Sequence, residues 1–365
     1  MNYLYFWYIQ CLTSKNIPKF IADITFPILP FCIIAGMIIL TVLCLVYAER
    51  KLLALFTQRK GPNRVGYKGL LQTTADALKL LCKQNINPEG YDSFLYNCAP
   101  VLVFVPVMIL WGIIPYSSEF VFMNFSVSLV LYLAIAIMPV FGILIAGFAS
   151  NNKFSLIGAV RSGAQLISYE LPLMFVVLSV CILSSSLNLK EIVFAQSGSL
   201  GMLNWNVFPC IVGFLIMIVV MLAELNRCPF DLPEAESELV AGYNTEYSGM
   251  RFALFFLAEY ASMFIMCTFI VITFFGGFLP LTGKYISEII FQNSQYLSAL
   301  IYFEQVFWLV FKTLFLVFGV MLIRATLPRL SSQSLMKFSW YFLFPISILN
   351  FIFILILKYY FEVIR

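Results

Sequence analysis

The sequence contains no histidine and few charged residues, with 22 Lys and Arg and 18 Asp and Glu making up 11% of 365 positions. The absence of histidine excludes bis-histidine haem, His-ligated copper or zinc, and acid–base chemistry on imidazole. The nine cysteines never come closer than twelve positions apart, so the chain has no CxxC pair and no metal-ligand spacing. We therefore expect the chain itself to hold no redox metal.

Apolar residues are what the sequence has instead, at 62% of the chain and a mean hydropathy of +0.94. This composition predicts an all-α polytopic membrane protein, which we treat as a single membrane domain over residues 1–365. Apolar runs of about 20 residues can cross roughly 30 Å of hydrocarbon. Eight such runs are found, near residues 27–48, 97–115, 125–149, 164–186, 206–225, 252–276, 302–323 and 340–360. The shorter aromatic segment at 1–26 predicts an N-terminal interfacial segment rather than a further span.

The basic residues predict the orientation of these spans. Fifteen of the 22 Lys and Arg lie in the loops after spans 1, 3, 5 and 7, and six lie on the opposite side. By the positive-inside rule, the first set faces the cytoplasm or matrix and both termini face the other side. The opening residues lack a basic region and a small-residue cleavage site, which argues against a removed signal peptide.

The loop at 50–96 is long and basic. Its second half places Leu70, Leu71, Ala75, Leu78 and Leu81 at helical spacing, which predicts an amphipathic helix in the membrane interface. The alternative is a basic anchor for anionic lipid. Before this helix, GPNRVG at 61–66 is typical of a turn that redirects the chain, and it is not a phosphate loop because no GK[ST] follows.

A second distinctive loop, at 226–251, is acidic. Six of the 18 acidic residues fall between Glu224 and Glu246. Carboxylates at the edge of a membrane are costly unless they face water, a partner or one another, so this density indicates a place where protons or charges are handled. A solvated acidic patch is the alternative. Pro229 and Pro233 favour a loop with a short helix from Pro233; whether Glu234, Glu236 and Glu238 share one face depends on strand or helix geometry and stays open.

Three carboxylates lie within the apolar spans themselves. Glu170 is in span 4, Glu224 near the inner end of span 5 and Glu259 in span 6. Carboxyl groups in such surroundings can be neutral or charged near neutral pH, as a proton relay requires. The alternative is structural ion pairing, of Glu170 with Arg161, Glu224 with Arg227 and Glu259 with Arg251. Lys312, in the middle of span 7, has the same two interpretations: a functional lysine or a structural one.

Four segments resemble a known family. They are ERKLLALFTQRKGPNRVGYKGLLQTTADALKL, GAVRSGAQLISYELP, ELNRCPFDLPEAESELVAGYNTEYSGMRFALFFLAEY and IRATLPR. In this order and at these intervals between apolar spans, they are similar to NADH dehydrogenase subunit 1, the quinone-site membrane subunit family of respiratory complex I. The resemblance runs from about residue 27 to 345, and its third segment covers more than thirty consecutive positions.

The resemblance implies two sets of site residues. In the family, span 1, the interfacial helix and the loop after span 5 wall a cavity for quinone. The matching wall residues are Glu49, Arg50, Arg59, Lys79, Arg227, Asp231, Arg324 and Arg329. A chain of carboxylates runs from that cavity into the membrane and relays protons or charge. Its matching residues are Glu170, Glu224, Glu234, Glu236 and Glu259.

The resemblance also implies a function and partners. It implies a core membrane subunit of proton-pumping NADH:ubiquinone oxidoreductase, with ubiquinone as substrate and with iron–sulfur clusters and FMN held by partner subunits. Peripheral quinone-module subunits, small membrane-arm subunits and lipids would be its partners, and nucleic acid would not. The absence of histidine and the high phenylalanine content favour the mitochondrial inner membrane, with both termini on the intermembrane-space side, and a bacterial plasma membrane is the alternative.

Other classes stay open at this point. A stand-alone secondary transporter or channel also buries carboxylates, although the two halves show no inverted repeat. A structural membrane anchor explains the basic loops but not Glu259 or Lys312. Within the family, a plastid plastoquinone-reducing complex and an energy-converting hydrogenase are the nearest relatives.

The chain departs from the family at two places. Ser331, Ser332 and Gln333 stand where most members have an arginine, a tyrosine and an aspartate. Losing a base and an acid together is typical of a surface ion pair deleted as a unit, worth about 0–1 kcal/mol. Arg251 stands where most members have a small or imino residue.

Overall fold

The computed structural model describes residues 19–198, 201–231, 240–283, 285 and 297–364, and their regular structure is entirely helical. Twelve α-helices lie in this part of the chain: α1 (Lys19–Phe56), α2 (Gln72–Cys82), α3 (Ser93–Ile113), α4 (Ser128–Ala136), α5 (Met138–Ala149), α6 (Lys153–Ser184), α7 (Leu189–Ala195), α8 (Ile211–Glu224), α9 (Gly249–Phe274), α10 (Leu297–Thr326), α11 (Ser332–Phe338) and α12 (Phe344–Ile364). Short 3-10 helices lie at Tyr67–Gly69, Gly201–Asn204 and Gly242–Asn244, and a π-helix at Ser339–Leu343 joins α11 to α12.

Seven helical segments in the described residues are long and apolar enough to cross a membrane. They are Ile28–Phe56, Ser93–Ile113, Ser128–Ala149, Lys153–Ser184, Gly249–Phe274, Ala299–Thr326 and Ser332–Tyr360. The prediction of an all-α polytopic membrane protein is confirmed, and these segments match seven of the eight predicted spans. The chain enters α1 already at Lys19, inside the segment 1–26 that the sequence predicts to be interfacial; residues 1–18 lie outside the described part.

The fifth predicted span, at 206–225, differs from the others. Its helix, α8, has only 14 residues and extends about 21 Å, which is less than the hydrocarbon thickness. The preceding residues form turns instead, and the side chain of Asn206 donates to the carbonyl of Thr273, 2.9 Å away. Hydrophobicity alone does not reveal this, because the turn residues are as apolar as a helix would be.

Polar side chains and proline set the ends of several helices. Asp92 accepts from the backbone N–H groups of Phe94 and Leu95 at the start of α3, and Asn152 accepts from Phe154 at the start of α6. Such N-caps satisfy donors that have no partner within the helix. The break between α4 and α5 lies at Ile137, two residues before Pro139, because a proline cannot continue the hydrogen bonding of a preceding turn.

Helix α9 lies at the centre of the bundle. Of its apolar window 78% is buried, against 22–56% for the other six candidate spans. It contacts α1, α2, α3, α6, α7, α8 and α10. A residue on α9 is therefore placed to meet side chains from most of the membrane domain.

The basic loop after α1 turns back on itself as its sequence predicts. Gly69 has φ +83°, and a Cβ atom there would lie 2.2 Å from the carbonyl oxygen of Pro62, so only glycine fits. The Tyr47 hydroxyl donates to the carbonyl of Lys68 at 3.0 Å. Helix α2 follows and matches the predicted amphipathic helix to within two residues at each end.

Lys312 lies in the middle of α10 and is 7% exposed. Its Nζ donates to the carbonyls of Phe275 (2.8 Å), Gly277 (3.0 Å) and Leu279 (2.6 Å), just beyond the last turn of α9. It also lies 4.3 Å from the ring centroid of Trp205. These contacts favour the structural interpretation, since a cation at a helix C-terminus satisfies carbonyls that the helix leaves without donors.

Replacing Lys312 with methionine is expected to destabilise the protein strongly. Each buried carbonyl left without a donor costs about 1–3 kcal/mol. The measurement is the unfolding temperature of the detergent-solubilised protein. The matched control is Lys358→Met, because Lys358 donates to the carbonyl of Ile182 at 2.6 Å from a more exposed position. A loss for Lys312→Met no larger than for Lys358→Met contradicts the prediction.

Candidate functional site

Four charged side chains meet at the inner end of the bundle and form what we call the charge cluster: Glu49 on α1, Arg227 after α8, Glu259 on α9 and Arg324 on α10. Arg227 Nη1 lies 3.3 Å from Glu49 Oε1, and Arg227 Nη2 lies 2.9 Å from Glu259 Oε1. Arg324 is ion-paired with the same Glu49 carboxylate. Two bases thus balance two acids drawn from four separate segments.

Burial makes this cluster energetically important. Arg227 is 3% and Glu49 4% exposed, and the Arg227 guanidinium also lies 4.5 Å from the ring centroid of Tyr260. A buried charge is tolerated only when it is paired and hydrogen-bonded. Burial alone would lower the pKa of Arg227, but Glu259, Tyr260 and Glu49 raise it by more, so the net pKa is raised and the guanidinium stays charged.

A tight turn places Arg227 between its partners. Helix α8 ends at Glu224, and Asn226 adopts φ 48°, which ends the helical path. The backbone N–H of Phe230 then donates to the Arg227 carbonyl at 2.8 Å. From α6, the Gln165 amide donates to the carbonyls of Ala223 and Phe230, on the two sides of the turn.

Next to the charge cluster is a cavity of about 100 Å³, which we call the carboxylate cavity. Glu170, Glu224 and Glu259 all line it, and Asn226, Tyr243 and Ser262 add polar groups to an otherwise apolar wall. Its volume is enough for several water molecules, which need polar partners of this kind. The three acids predicted within apolar spans therefore lie around one common space.

Glu259 belongs to both features. Its carboxylate pairs with Arg227 in the charge cluster and lines the carboxylate cavity beside Glu170 and Glu224. A change in the charge of Glu259 therefore acts on Arg227 directly and on the other two acids across the cavity.

The remaining predicted site residues lie outside these two features. Asp231 Oδ2 pairs with Arg329 Nη2 at 3.2 Å, and the N–H of Leu330 donates to the carbonyl of Pro229, so this pair ties the loop after α10 to the acidic loop. Arg50 pairs with Asp76 on α2. Arg59 bonds to the Thr57 hydroxyl at 3.1 Å, and Lys79 is exposed. Glu234 and Glu236 lie outside the described residues.

Of the structural ion pairs considered as alternatives, two are replaced by other partners. Arg227 pairs with Glu49 and Glu259 rather than with Glu224. Arg251 donates to Asn87 Oδ1 at 2.6 Å and lies 5.1 Å from the Tyr96 ring, so it is not the partner of Glu259. Neither Glu170 nor Glu224 takes part in an ion pair found within the described residues.

Two residues of the site escape the sequence reasoning. Tyr260 is the residue after Glu259 and packs on Arg227, yet nothing in its spacing marks it. Gln165 is 1% exposed and lies within an apolar span. A polar amide at that depth is itself a signal of a functional or structural role, and it could have been found on that ground.

No group of three or more Cys, Asp or Glu side chains among the described residues could hold a metal ion. The described site thus offers fixed charges, titratable carboxyl groups and a small polar cavity. These groups can bind a polar headgroup and move protons, but they cannot by themselves carry electrons.

Comparison with known proteins agrees with this chemistry. The sequence profile of the NADH dehydrogenase family matches residues 29–355. The chain is 44% identical over 305 residues to a subunit of the NADH-quinone oxidoreductase of Brevibacillus brevis, covering 84% of this chain and 85% of that protein. It is 44% identical over 321 residues to the protein of the same name from Salinibacter ruber (88% and 92% covered). It is 42% identical over 301 residues to NADH-ubiquinone oxidoreductase chain 1 of Chondrus crispus (82% and 87% covered).

These features define a multi-pass membrane protein with a charged site at one side of its bundle. With nine tenths of its length matched and relatives this similar along most of both chains, the protein belongs to the NADH dehydrogenase family.

Replacing Arg227 with methionine is expected to cost about 3–5 kcal/mol of stability, because it leaves Glu49 and Glu259 buried beside one another without their shared base. The measurement is the denaturation midpoint of the solubilised protein. Arg329→Met is the control, since Arg329 is 46% exposed and its ion pair is worth about 0–1 kcal/mol. Adding Glu259→Gln to Arg227→Met is expected to restore part of the loss; equal losses for the two arginine variants contradict the prediction.

Proposed function

We propose that the chain is a core membrane subunit of a proton-translocating NADH:ubiquinone oxidoreductase. In it the chain walls part of the quinone-binding cavity and carries a carboxylate relay that couples quinone reduction to proton translocation. The names of its similar relatives, which are subunits of NADH-quinone oxidoreductase and NADH-ubiquinone oxidoreductase, support this assignment.

The observation that carries the proposal is the double position of Glu259. On one side it pairs with Arg227, which in turn holds Glu49 at the end of α1. On the other side it lines the cavity with Glu170 and Glu224. A charge appearing at the wall of the quinone cavity therefore has a continuous path of interacting groups into the membrane.

The quinone headgroup would meet mainly basic side chains in this proposal. Arg324 and Arg329 are 34% and 46% exposed, so each can turn a guanidinium toward a ligand while keeping its carboxylate partner. We assign the cavity wall to Glu49, Arg50, Arg59, Lys79, Arg227, Asp231, Arg324 and Arg329. The relay comprises Glu170, Glu224, Glu234, Glu236 and Glu259.

Electrostatics is sufficient for the first coupling step. Two unit charges 6 Å apart interact by about 3 kcal/mol at an effective dielectric constant near 20. That energy changes the ratio of protonated to ionised carboxyl about a hundredfold. Reduction of quinone next to the charge cluster would thus alter the protonation of Glu259, and the change would pass across the cavity to Glu224 and Glu170.

Electrons have to reach the quinone from elsewhere, because the described site offers no group that carries them. We propose that iron–sulfur clusters and FMN in partner subunits supply them, and that the mitochondrial inner membrane is the location, with both termini on the intermembrane-space side. The other subunits of the oxidoreductase are the chain's principal partners in this proposal.

Purification of the chain from its native membrane under mild detergent tests this assignment. We expect it to co-purify with many subunits, flavin and iron–sulfur clusters, and to show NADH oxidation by added quinone. Recovery as a lone oligomer without flavin would contradict the proposal and favour a transporter.

Replacing Glu224 with glutamine in the assembled complex is expected to lower proton translocation by about tenfold or more, because a relay needs a group that gains and loses a proton. Quinone-linked acidification of reconstituted vesicles is the measurement. Glu119→Gln serves as control, since Glu119 is an exposed acid outside the cavity. Unchanged pumping in Glu224→Gln removes this residue from the relay.

A further inference from the structure

The side chain of Gln165 bonds the site at several points. Its Nε2 donates to the Ala223 carbonyl at 2.8 Å and to the Phe230 carbonyl at 2.9 Å, and lies 3.3 Å from Asn226 Oδ1. Ala223 immediately precedes Glu224. The three acceptors surround the turn from which Arg227 projects.

Helix geometry explains why these bonds matter for the carboxylates. Residues four apart lie on one face of a helix, and α6 uses two neighbouring faces. Gln165 and Tyr169 face the turn, where the Tyr169 ring lies 5.6 Å from the ring of Phe230. Leu166 and Glu170 face the carboxylate cavity. The same helix therefore carries Glu170 and holds the segment that carries Glu224 and Arg227.

We propose that Gln165 is a positioning residue that keeps Glu224 and Arg227 in register with Glu170, and so sets how tightly quinone reduction is coupled to proton movement. This inference rests on the proposed function. Gln165 touches no reacting group in it; it acts through the turn at 223–230. The Oε1 atom of Gln165 is buried without a hydrogen-bond partner among the described residues, so its two donors are the part of the side chain that bonds the turn.

The charged and titratable groups around the turn come from several elements. They are Glu170 on α6, Glu224 and Arg227 on the turn, Asp231 beyond it, Glu259 and Tyr260 on α9, and Glu49 on α1. Any pH-dependent effect of a change at 165 has to be compared with the titration of these groups in the unaltered protein.

Gln165→Glu is the sharpest test, made in the intact complex in vesicles. A protonated carboxyl group at 165 can still donate one hydrogen bond to Ala223 or Phe230, whereas an ionised one places negative charge against both carbonyl oxygens. We expect the number of protons moved per quinone reduced, relative to the unaltered complex, to fall about tenfold between pH 6 and pH 8. Gln165→Met, which donates nothing, is expected to be low at both pH values.

The matched control is Gln196→Met. Gln196 is also 1% exposed and also donates to backbone carbonyls, of Ile192 at 3.2 Å and Ile272 at 2.9 Å. It lies directly after α7 and is not among the residues that line the carboxylate cavity. We expect it to lower the amount of folded complex without changing the proton-to-quinone ratio or its pH profile.

Two results overturn the inference. One is a Gln165→Glu ratio that stays level or rises with pH; the other is a Gln165→Met ratio equal to that of Gln196→Met. If Gln165→Met does not assemble, the pH profile of Gln165→Glu decides alone. A failure of the proposed function is separate, because the unaltered complex would then move no protons on adding quinone.

Discussion

The whole inner end of this bundle depends on one buried arginine held between two carboxylates. Arg227 pairs with Glu49 at the end of α1 and with Glu259 on the central helix, and it lies against the Tyr260 ring. Because a buried guanidinium cannot lose its proton, the carboxylates around it are the groups that must respond to any added charge. The arrangement therefore fixes one sign of charge and leaves the other free to vary, which is what a coupling site requires.

The same arrangement explains why a short helix and a turn occur where a full span would be expected. Helix α8 stops at Glu224, and the turn that follows brings Arg227 into the bundle. A longer, regular helix would carry Arg227 further along its own axis and away from Glu49. Gln165 and the Phe230–Tyr169 ring contact hold the turn closed, so the departure from regular structure is stabilised by buried contacts.

Much of this protein follows from its sequence. Hydrophobic runs predict seven spans in their correct places, turn chemistry locates the reversal after α1, and scarce carboxylates in apolar surroundings indicate a common site for Glu170, Glu224 and Glu259. The pairings do not follow. Arg227 and Glu49 are 178 positions apart, and local spacing favours ion pairs of Glu224 with Arg227 and of Glu259 with Arg251 that the structure does not contain. Lys312 is ambiguous for the same reason, since its carbonyl acceptors lie on a neighbouring segment.

The lysine that closes the far end of α9 has a mechanical consequence. Phe275, Gly277 and Leu279 are held to α10 by Lys312, while Glu259 lies nearer the opposite end of the same rod. A rod fastened at one tip can pivot about that tip but cannot slide along its length. Any displacement of Glu259 would thus be a sideways swing toward or away from Arg227, so that ion pair is the coordinate along which such a movement would be felt first.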